Sequence, residues 1–427
     1  MNPPLGISCP ALAPASSVNE LVGERQWAGT VHALTDWLIR EGRFLPGNAA
    51  LLTQFSERLV KAGLPLDRAS LHLRALHVQY RGVSRIWQPS KPLDERFLDH
   101  GIEKSAIYLE SPVRAAIESD QQLEWRLDKG GLLAFATLDE LREEGFTHYV
   151  IAPIRYASGS INAFSWATKQ PGGFTPAEMA LCEELLPALS AVIEAKALRR
   201  FTENMLQTYV GREPTRLILD GQVRRGDIRT ITAALMLVDL RDFTLISDGL
   251  APRAVIRLLN EYFDCVFPAV RQHGGEIMEI MGDGVLAIFH QEEISAAASC
   301  REALAAARES LAAVTAFNMR GRAGRQNGNG NVPPMQVGIA LHYGTVSYGN
   351  IGSGDRLDFT VIGPDVNLTS RIERFCRELD RTLIMSEIFV DTLGQEKLAE
   401  PMWELGYFQL RGFNRMQRLF ALPSEER

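Results

Sequence analysis

The chain has 427 residues, 46% hydrophobic and 23% charged, with a formal net charge of −7. That composition excludes a disordered polymer, the length suits two domains plus a connector, and the acidic balance gives no electrostatic case for a nucleic-acid partner. No stretch approaches the ~20 apolar residues of a membrane span, and the opening MNPPLGISCPALAPASS lacks the basic and apolar regions of a signal peptide. Five scattered cysteines (Cys9, Cys182, Cys265, Cys300, Cys376) form no C-x-x-C pair. They predict reduced thiols in a cytoplasmic protein.

After a loose terminus, Trp27–Arg43 and Gly47–Ala62 carry helical periodicity. Strands are expected at Ala69–His77 and Ser84–Gln88, joined through Tyr80-Arg81-Gly82, and at Thr147–Tyr156 and Ile161–Thr168. Residues 90–140 between them show few clear periods. Trp87, Tyr108, Trp125 and Phe135 are candidate liners of a ligand pocket there, although aromatic residues more often serve as plain core.

Thr175 and Pro176 give a helix N-cap and first turn. The apolar stripe Met179, Leu181, Leu185, Leu189, Val192, Ile193, Leu198, Phe201 and Met205 then suits one long helix. A two-helix seam between subunits and a helix packed on its own domain both fit it.

The second half is organised around two aspartates. Asp239 ends the apolar run Leu235–Val238. Asp283 sits in Gly282-Asp283-Gly284, between the strands Glu276–Met281 and Val285–Phe289. Each suits a bland role alone, as a helix cap or a turn residue. Together, at a strand end and a hairpin tip of one sheet, they make a site for hard divalent cations. Leu250–Gln272 reads as an amphipathic helix containing Pro268, and Ala296–Ala316 as an alanine-rich one followed by the loop MRGRAGRQNGNGNVPP. Met335–Tyr343 and Thr345–Tyr348 are expected as a hairpin around Gly344. A strand at Phe359–Gly363, a turn at Pro364-Asp365 and the helix Val366–Arg377 follow.

That helix begins VNLTSRIE. With ALMLVDLRDFT and GGEIMEIMGDGVLAIF, it gives residues from about Ile231 to Leu422 a specific signature. The signature resembles the catalytic domain of class III nucleotide cyclases, the adenylate and guanylate cyclase family. TYVGREPTRLILDGQVRRGDIRTI before it resembles the short transducer element of many bacterial members, and the N-terminal helix–hairpin–hairpin–helix order resembles a GAF domain. The resemblance implies an α+β chain. It would consist of a flexible N-terminus (1–24), a GAF-like sensor domain (25–195), a helical connector (196–230) and a ferredoxin-like class III cyclase catalytic domain (231–427). A small ligand of the N-terminal domain and a purely structural or dimerising role for it both remain open.

By resemblance, Asp239 and Asp283, with Leu240 beside them, hold two metal ions per active site, Mg²⁺ or Mn²⁺. Asn367 binds the ribose and Arg371 stabilises the transition state of 3′-hydroxyl attack on the α-phosphorus. The backbone through Phe243 and Thr244 cradles the triphosphate, and Arg411 stands near a basic triphosphate ligand. Asp242 occupies a position where many relatives have Gly. Metal aspartates and the Asn/Arg helix come from opposite sides of a dimer interface in this family, which implies a homodimer with composite sites. The alternative is a catalytically inactive, nucleotide-binding regulator, against which the intact residue set argues.

Glu279 and Thr360 fall at the family's base-reading positions. A carboxylate accepts from guanine N1–H and the 2-amino group and opposes the acceptor N1 of adenine, so GTP is favoured over ATP. Thr360 can donate or accept and does not discriminate.

Overall fold

The computed structural model of the chain describes residues 18–74, 80–222, 224–290, 294–326, 334–394 and 402–422. The chain forms two compact units, Met1–Met205 and Leu206–Arg427.

The first unit contains α1 (Val18–Arg40), α2 (Gly47–Lys61), β1 (Arg68–Arg74), β2 (Tyr80–Trp87), β3 (Asp94–Asp99), α3 (Ala106–Leu109) and α4 (Pro112–Ser119). β4 (Leu123–Arg126), α5 (Ala136–Glu143), β5 (His148–Arg155) and β6 (Ile161–Thr168) complete it, with α6 (Pro176–Val210) beginning in it and ending just past its boundary. The strands form an antiparallel sheet in the order β3-β2-β1-β6-β5-β4. Alternation along β1 sends Ala69, Leu71 and Leu73 into one core with Phe55, Phe164 and Trp166, while Tyr149 and Ile151 of β5 join a second core with Leu138 and Leu141.

Two expectations change here, and a third is resolved between its alternatives. Tyr80-Arg81-Gly82 opens β2 instead of connecting two strands, with a register shift between Tyr80 and Gly82. The four aromatic residues do not line one pocket: Trp87 belongs to the first core, Trp125 and Phe135 pack edge-to-face at 5.7 Å against the second, and Tyr108 is in neither. The capping box of α6 forms, with Thr175 and Glu178 exchanging backbone and side-chain hydrogen bonds. However, Leu181, Leu185, Leu189, Val192 and Ile193 are buried in their own unit's core, so half the apolar stripe is used there, and Leu198 is left exposed.

The second unit contains α7 (Arg212–Leu219), β7 (Ile228–Leu240), α8 (Phe243–Asp248), α9 (Pro252–Gln272), β8 (Glu276–Met281), β9 (Gly284–Phe289) and α10 (Ala296–Gln326). β10 (Val337–Gly352), β11 (Leu357–Ile362), α11 (Pro364–Glu378), β12 (Leu383–Ser386), α12 (Glu387–Leu393), β13 (Trp403–Phe408) and β14 (Gln417–Ala421) follow. The sheet order is β13-β14-β12-β10-β7-β9-β8, with β11 paired to β10. β7 and β10 form its spine, paired antiparallel from Val337↔Leu240 to Gly349↔Ile228. Met236, Val238 and Leu240 of β7 face α9 and α10, while Leu235 and Leu237 join Leu217 of α7 on the other face. Burying each such side chain contributes about 1.5–3 kcal/mol relative to exposure.

The expected hairpin around Gly344 is instead the uninterrupted strand β10. Gly344 is there for space: a Cβ on it would stand 2.3 Å from the Asp365 carboxylate. Pro364 and Asp365 are no free turn but the first residues of α11, where proline's fixed φ is tolerated. α10 continues through Gln326, so the expected loop begins later, and residues 327–333 lie outside the described part. Among the described residues, no helix is long and apolar enough to cross a membrane, and Cys182, Cys265, Cys300 and Cys376 are buried and unpaired.

His273, where α9 ends, bridges to α10 through Glu302 (3.0 Å) and Glu309 (2.9 Å). Partial burial disfavours its cation, but the bonds to both glutamates outweigh this and raise its pKa above 6.5. The clamp's stabilisation is therefore full below the unfolded-state value and lost as pH rises through the raised folded one. With both carboxylates largely solvated, it should amount to under about 1 kcal/mol. Melting temperatures at about pH 6 and about pH 8.5 should converge between wild type and His273→Gln at the higher pH. An equal gap at both would reject the clamp.

Candidate active site

The aspartates are brought together by strand register. β7 pairs β9 up to Val238↔Val285, so Asp239 projects just past the last pair, beside the turn carrying Asp283. Gly282 provides the positive φ of 69° that this turn needs. Asp239 is pushed up to about 8, first by burial, then by the hydrogen bond and charge of Asp283 and the charge of Glu373. Its Oδ1 is buried without a hydrogen-bond partner. Two half-buried carboxylates side by side, one with an unused oxygen, fit a divalent cation. Among the described residues no cluster of three His, Cys, Asp or Glu side chains has metal-holding geometry. Leu240, with its side chain buried, adjoins them at the strand end.

Sequence reasoning passed over Glu373. Gly338 is the cross-strand partner of Asp239, and a Cβ there would lie 2.6 Å from Glu373 Oε1. The missing side chain thus lets a third carboxylate settle beside the pair. Burial raises its pKa, and Arg241 opposes that shift. Glu373 lies within VNLTSRIE, two residues after Arg371, which was its one visible signal.

α11 lies over the same sheet, with Leu368, Ile372 and Cys376 buried against Ala340 and Ile384. Asn367 is exposed and Arg371 half-buried. Among the described residues Arg371 has no hydrogen-bond or ion-pair partner, and neither residue bonds to Asp239 or Asp283. Within one chain, then, no hydrogen bond or ion pair joins the Asn367/Arg371 pair to the two aspartates.

Glu279 and Thr360 do meet. The β8–β9 register shifts between Ile277 and Glu279, a bulge that re-aims the side chains after it. Thr360 Oγ1 donates to Glu279 Oε2 at 2.9 Å, across to β11. The hydroxyl proton is thereby used, and the pair presents acceptors only.

Asp242 caps the short α8 in the left-handed region (φ 58°), with its side chain exposed. Aspartate tolerates this conformation better than most residues, and glycine tolerates it freely. Phe243 is partly buried and Thr244 exposed at the start of α8. Arg411 is exposed in the turn between β13 and β14, next to Leu410, which is buried with Leu368 and Ile372 of α11.

The second unit is thus a mixed α/β unit with paired carboxylates at a strand end and an Asn/Arg helix on the same sheet. Residues 228–417 match the family model of the adenylate and guanylate cyclase catalytic domain. Adenylate cyclase of Anabaena cylindrica is 32% identical over 168 residues, covering 39% of this chain and 32% of that protein. Adenylate cyclase 1 of Rhizobium meliloti (strain 1021) is 32% identical over 154 residues, 35% of this chain and 22% of that protein. The match therefore spans about a third or less of these relatives' length. The crystal structure of the guanylyl cyclase Cya2 is 29% identical and has a TM-score of 0.39, covering 47% of this chain and 94% of its own.

Proposed function

We propose that the chain is a homodimeric nucleotide cyclase converting a purine nucleoside triphosphate, with GTP preferred, to the 3′,5′-cyclic monophosphate and pyrophosphate. The observation carrying this is the complete but divided residue set: Asp239 with Asp283 in one place, Asn367 with Arg371 in another. A second copy supplies each half with its complement. Exposed apolar side chains near both halves support such a contact, with Leu245 at 76%, Ile280 at 51% and Ile362 at 46% exposure.

Asp239 and Asp283 hold the divalent cations, Mg²⁺ or Mn²⁺. When bound, these offset triphosphate charge and make the 3′-hydroxyl a better nucleophile. Backbone N–H groups at the start of α8 bind phosphate oxygens. Asn367 orients the ribose so that its 3′-oxygen faces the α-phosphorus, and Arg371 offsets charge growing on the α-phosphoryl oxygens. The 3′-O–P bond forms as the bond to the β-phosphate bridging oxygen breaks. Glu279, its remaining lone pairs open, accepts from guanine N1–H and the 2-amino group. The names of the two curated relatives favour ATP instead, and turnover of each triphosphate, with products resolved by mass, decides between the bases. The N-terminal unit is read as a GAF-like sensor acting through residues 196–230.

Complementation tests the dimer. Asp239→Ala and Arg371→Ala should each be inactive, and an equal mixture should regain about a quarter of wild-type activity, from one good site in half the dimers. No recovery, with no wild-type turnover of any triphosphate, would favour a nucleotide-binding regulator.

A further inference from the structure

Asn367 and Arg371 have no side-chain anchor of their own, so something else must fix the helix that carries them. Besides the packing of Leu368, Ile372 and Cys376, a polar anchor stands at the N-terminal turn of α11. The Asp365 carboxylate lies in the space left by Gly344: Oδ2 accepts from the Thr345 backbone N–H at 2.6 Å, and Oδ1 is 3.3 Å from His342 Nε2. His342 is completely buried in β10. Behind it, Nδ1 lies 2.8 Å from Ser386 Oγ, which also accepts from the Phe389 N–H at 3.2 Å as the N-cap of α12. One hydrogen arrangement uses every group: Ser386 donates to Nδ1, leaving the Nε2 hydrogen to face Asp365. The 3.3 Å contact is electrostatic and falls short of a well-aligned hydrogen bond, for Nε2 has no formed partner in the chain. Even so, His342 and the Thr345 amide hold the Asp365 carboxyl below its usual range. Asp365 precedes Asn367 by two residues, and Thr369 Oγ1 closes the same turn onto the Asp365 carbonyl at 2.7 Å.

We propose that the Ser386–His342–Asp365 chain positions the Asn367/Arg371 half-site, making His342 and Asp365 positioning residues for catalysis that touch neither substrate nor metal. The inference rests on the composite-dimer reading above. A buried polar chain costs desolvation and stabilises little more than an apolar replacement would, so its use is geometric: it holds α11 at one depth on β10. An error of ~1 Å in the placement of Arg371 is worth about a 100-fold loss of rate.

Asp365→Asn keeps the shape and removes the charge, and Gly344→Ala displaces the carboxylate without changing it. Both should lower kcat about 10- to 100-fold with KM for the triphosphate within about three-fold, since ground-state binding is shared with Glu279 and the metal half. The deciding readout is mixing. Either variant with Asp239→Ala should regain about a quarter of wild-type activity, because the good site then takes its aspartates from the first chain and its Asn/Arg helix from the second. Either variant with Arg371→Ala should show only the low residual rate it has when assayed alone. Recovery with Arg371→Ala, or none with Asp239→Ala, overturns the assignment, as does unchanged kcat in folded variants. If the control mixture of Asp239→Ala with Arg371→Ala fails while wild type is active, the composite-dimer reading fails instead. Melting temperatures and dimer mass identify a variant that has merely unfolded, in which case the other variant carries the test.

Discussion

Asp283→Ala should abolish cyclase turnover, by at least about 1,000-fold, while leaving the second unit folded. A loss of that size is about 4 kcal/mol of transition-state stabilisation, within what a metal clamp on a triphosphate supplies. The stability readout separates this from trivial unfolding. Asp239 is held near 8 against a usual 3.8, so its folded pKa is raised. A carboxyl shifted upward costs stability above its unfolded-state value, increasingly so until pH passes the folded value. Removing Asp283 removes the second and third causes of that shift, leaving burial and the charge of Glu373. The metal-free variant should therefore melt at the same temperature as wild type or higher at neutral pH. Added Mn²⁺ should raise the melting temperature of wild type and not of the variant. Wild-type turnover in the folded variant, or an equal Mn²⁺ shift in both proteins, would remove Asp283 from the metal site.

Glu279→Lys should weaken GTP turnover 5- to 150-fold, the equivalent of about 1–3 kcal/mol for one mismatched base contact. A cation would then face two guanine donors, and the hydrogen bond from Thr360 would lose its acceptor. Activity on ATP should be equal or raised, since lysine can donate to adenine N1. A complete switch is not expected, because Thr360 and the strand backbone also shape the pocket. If wild type prefers ATP and Glu279→Lys leaves that preference untouched, Glu279 does not face the base. Guanylate specificity would fall, and the cyclase reading would stand.

Much of the catalytic unit was legible in the sequence because its signals are local. Asp239 ends an apolar run, Asp283 sits in a Gly-Asp-Gly turn, and Asn367 and Arg371 share a helix face at a spacing of four. Strand and helix periods report burial directly, which is why β8, β9 and α9 fall close to where the periodicity predicts them. What failed was local inference about glycine and proline. Gly344 reads as a turn from its neighbours, yet it sits inside a strand because Asp365, 21 residues later, needs the volume a Cβ would fill. Gly338 likewise makes room for Glu373. No periodicity encodes such an approach, since it depends on how closely α11 lies on β10. The apolar stripe of α6 had two equally good burial partners on paper, and only packing assigned its first half to its own core. The same limit applies to polar residues. His342, Asp365 and Ser386 are far apart in sequence and ordinary one by one, and they form a chain because β10, α11 and β12 meet there. Sequence determined which side chains are candidates for the chemistry; the tertiary structure decided which are held, by what, and which are left exposed, because those are properties of distance between elements rather than of order along the chain.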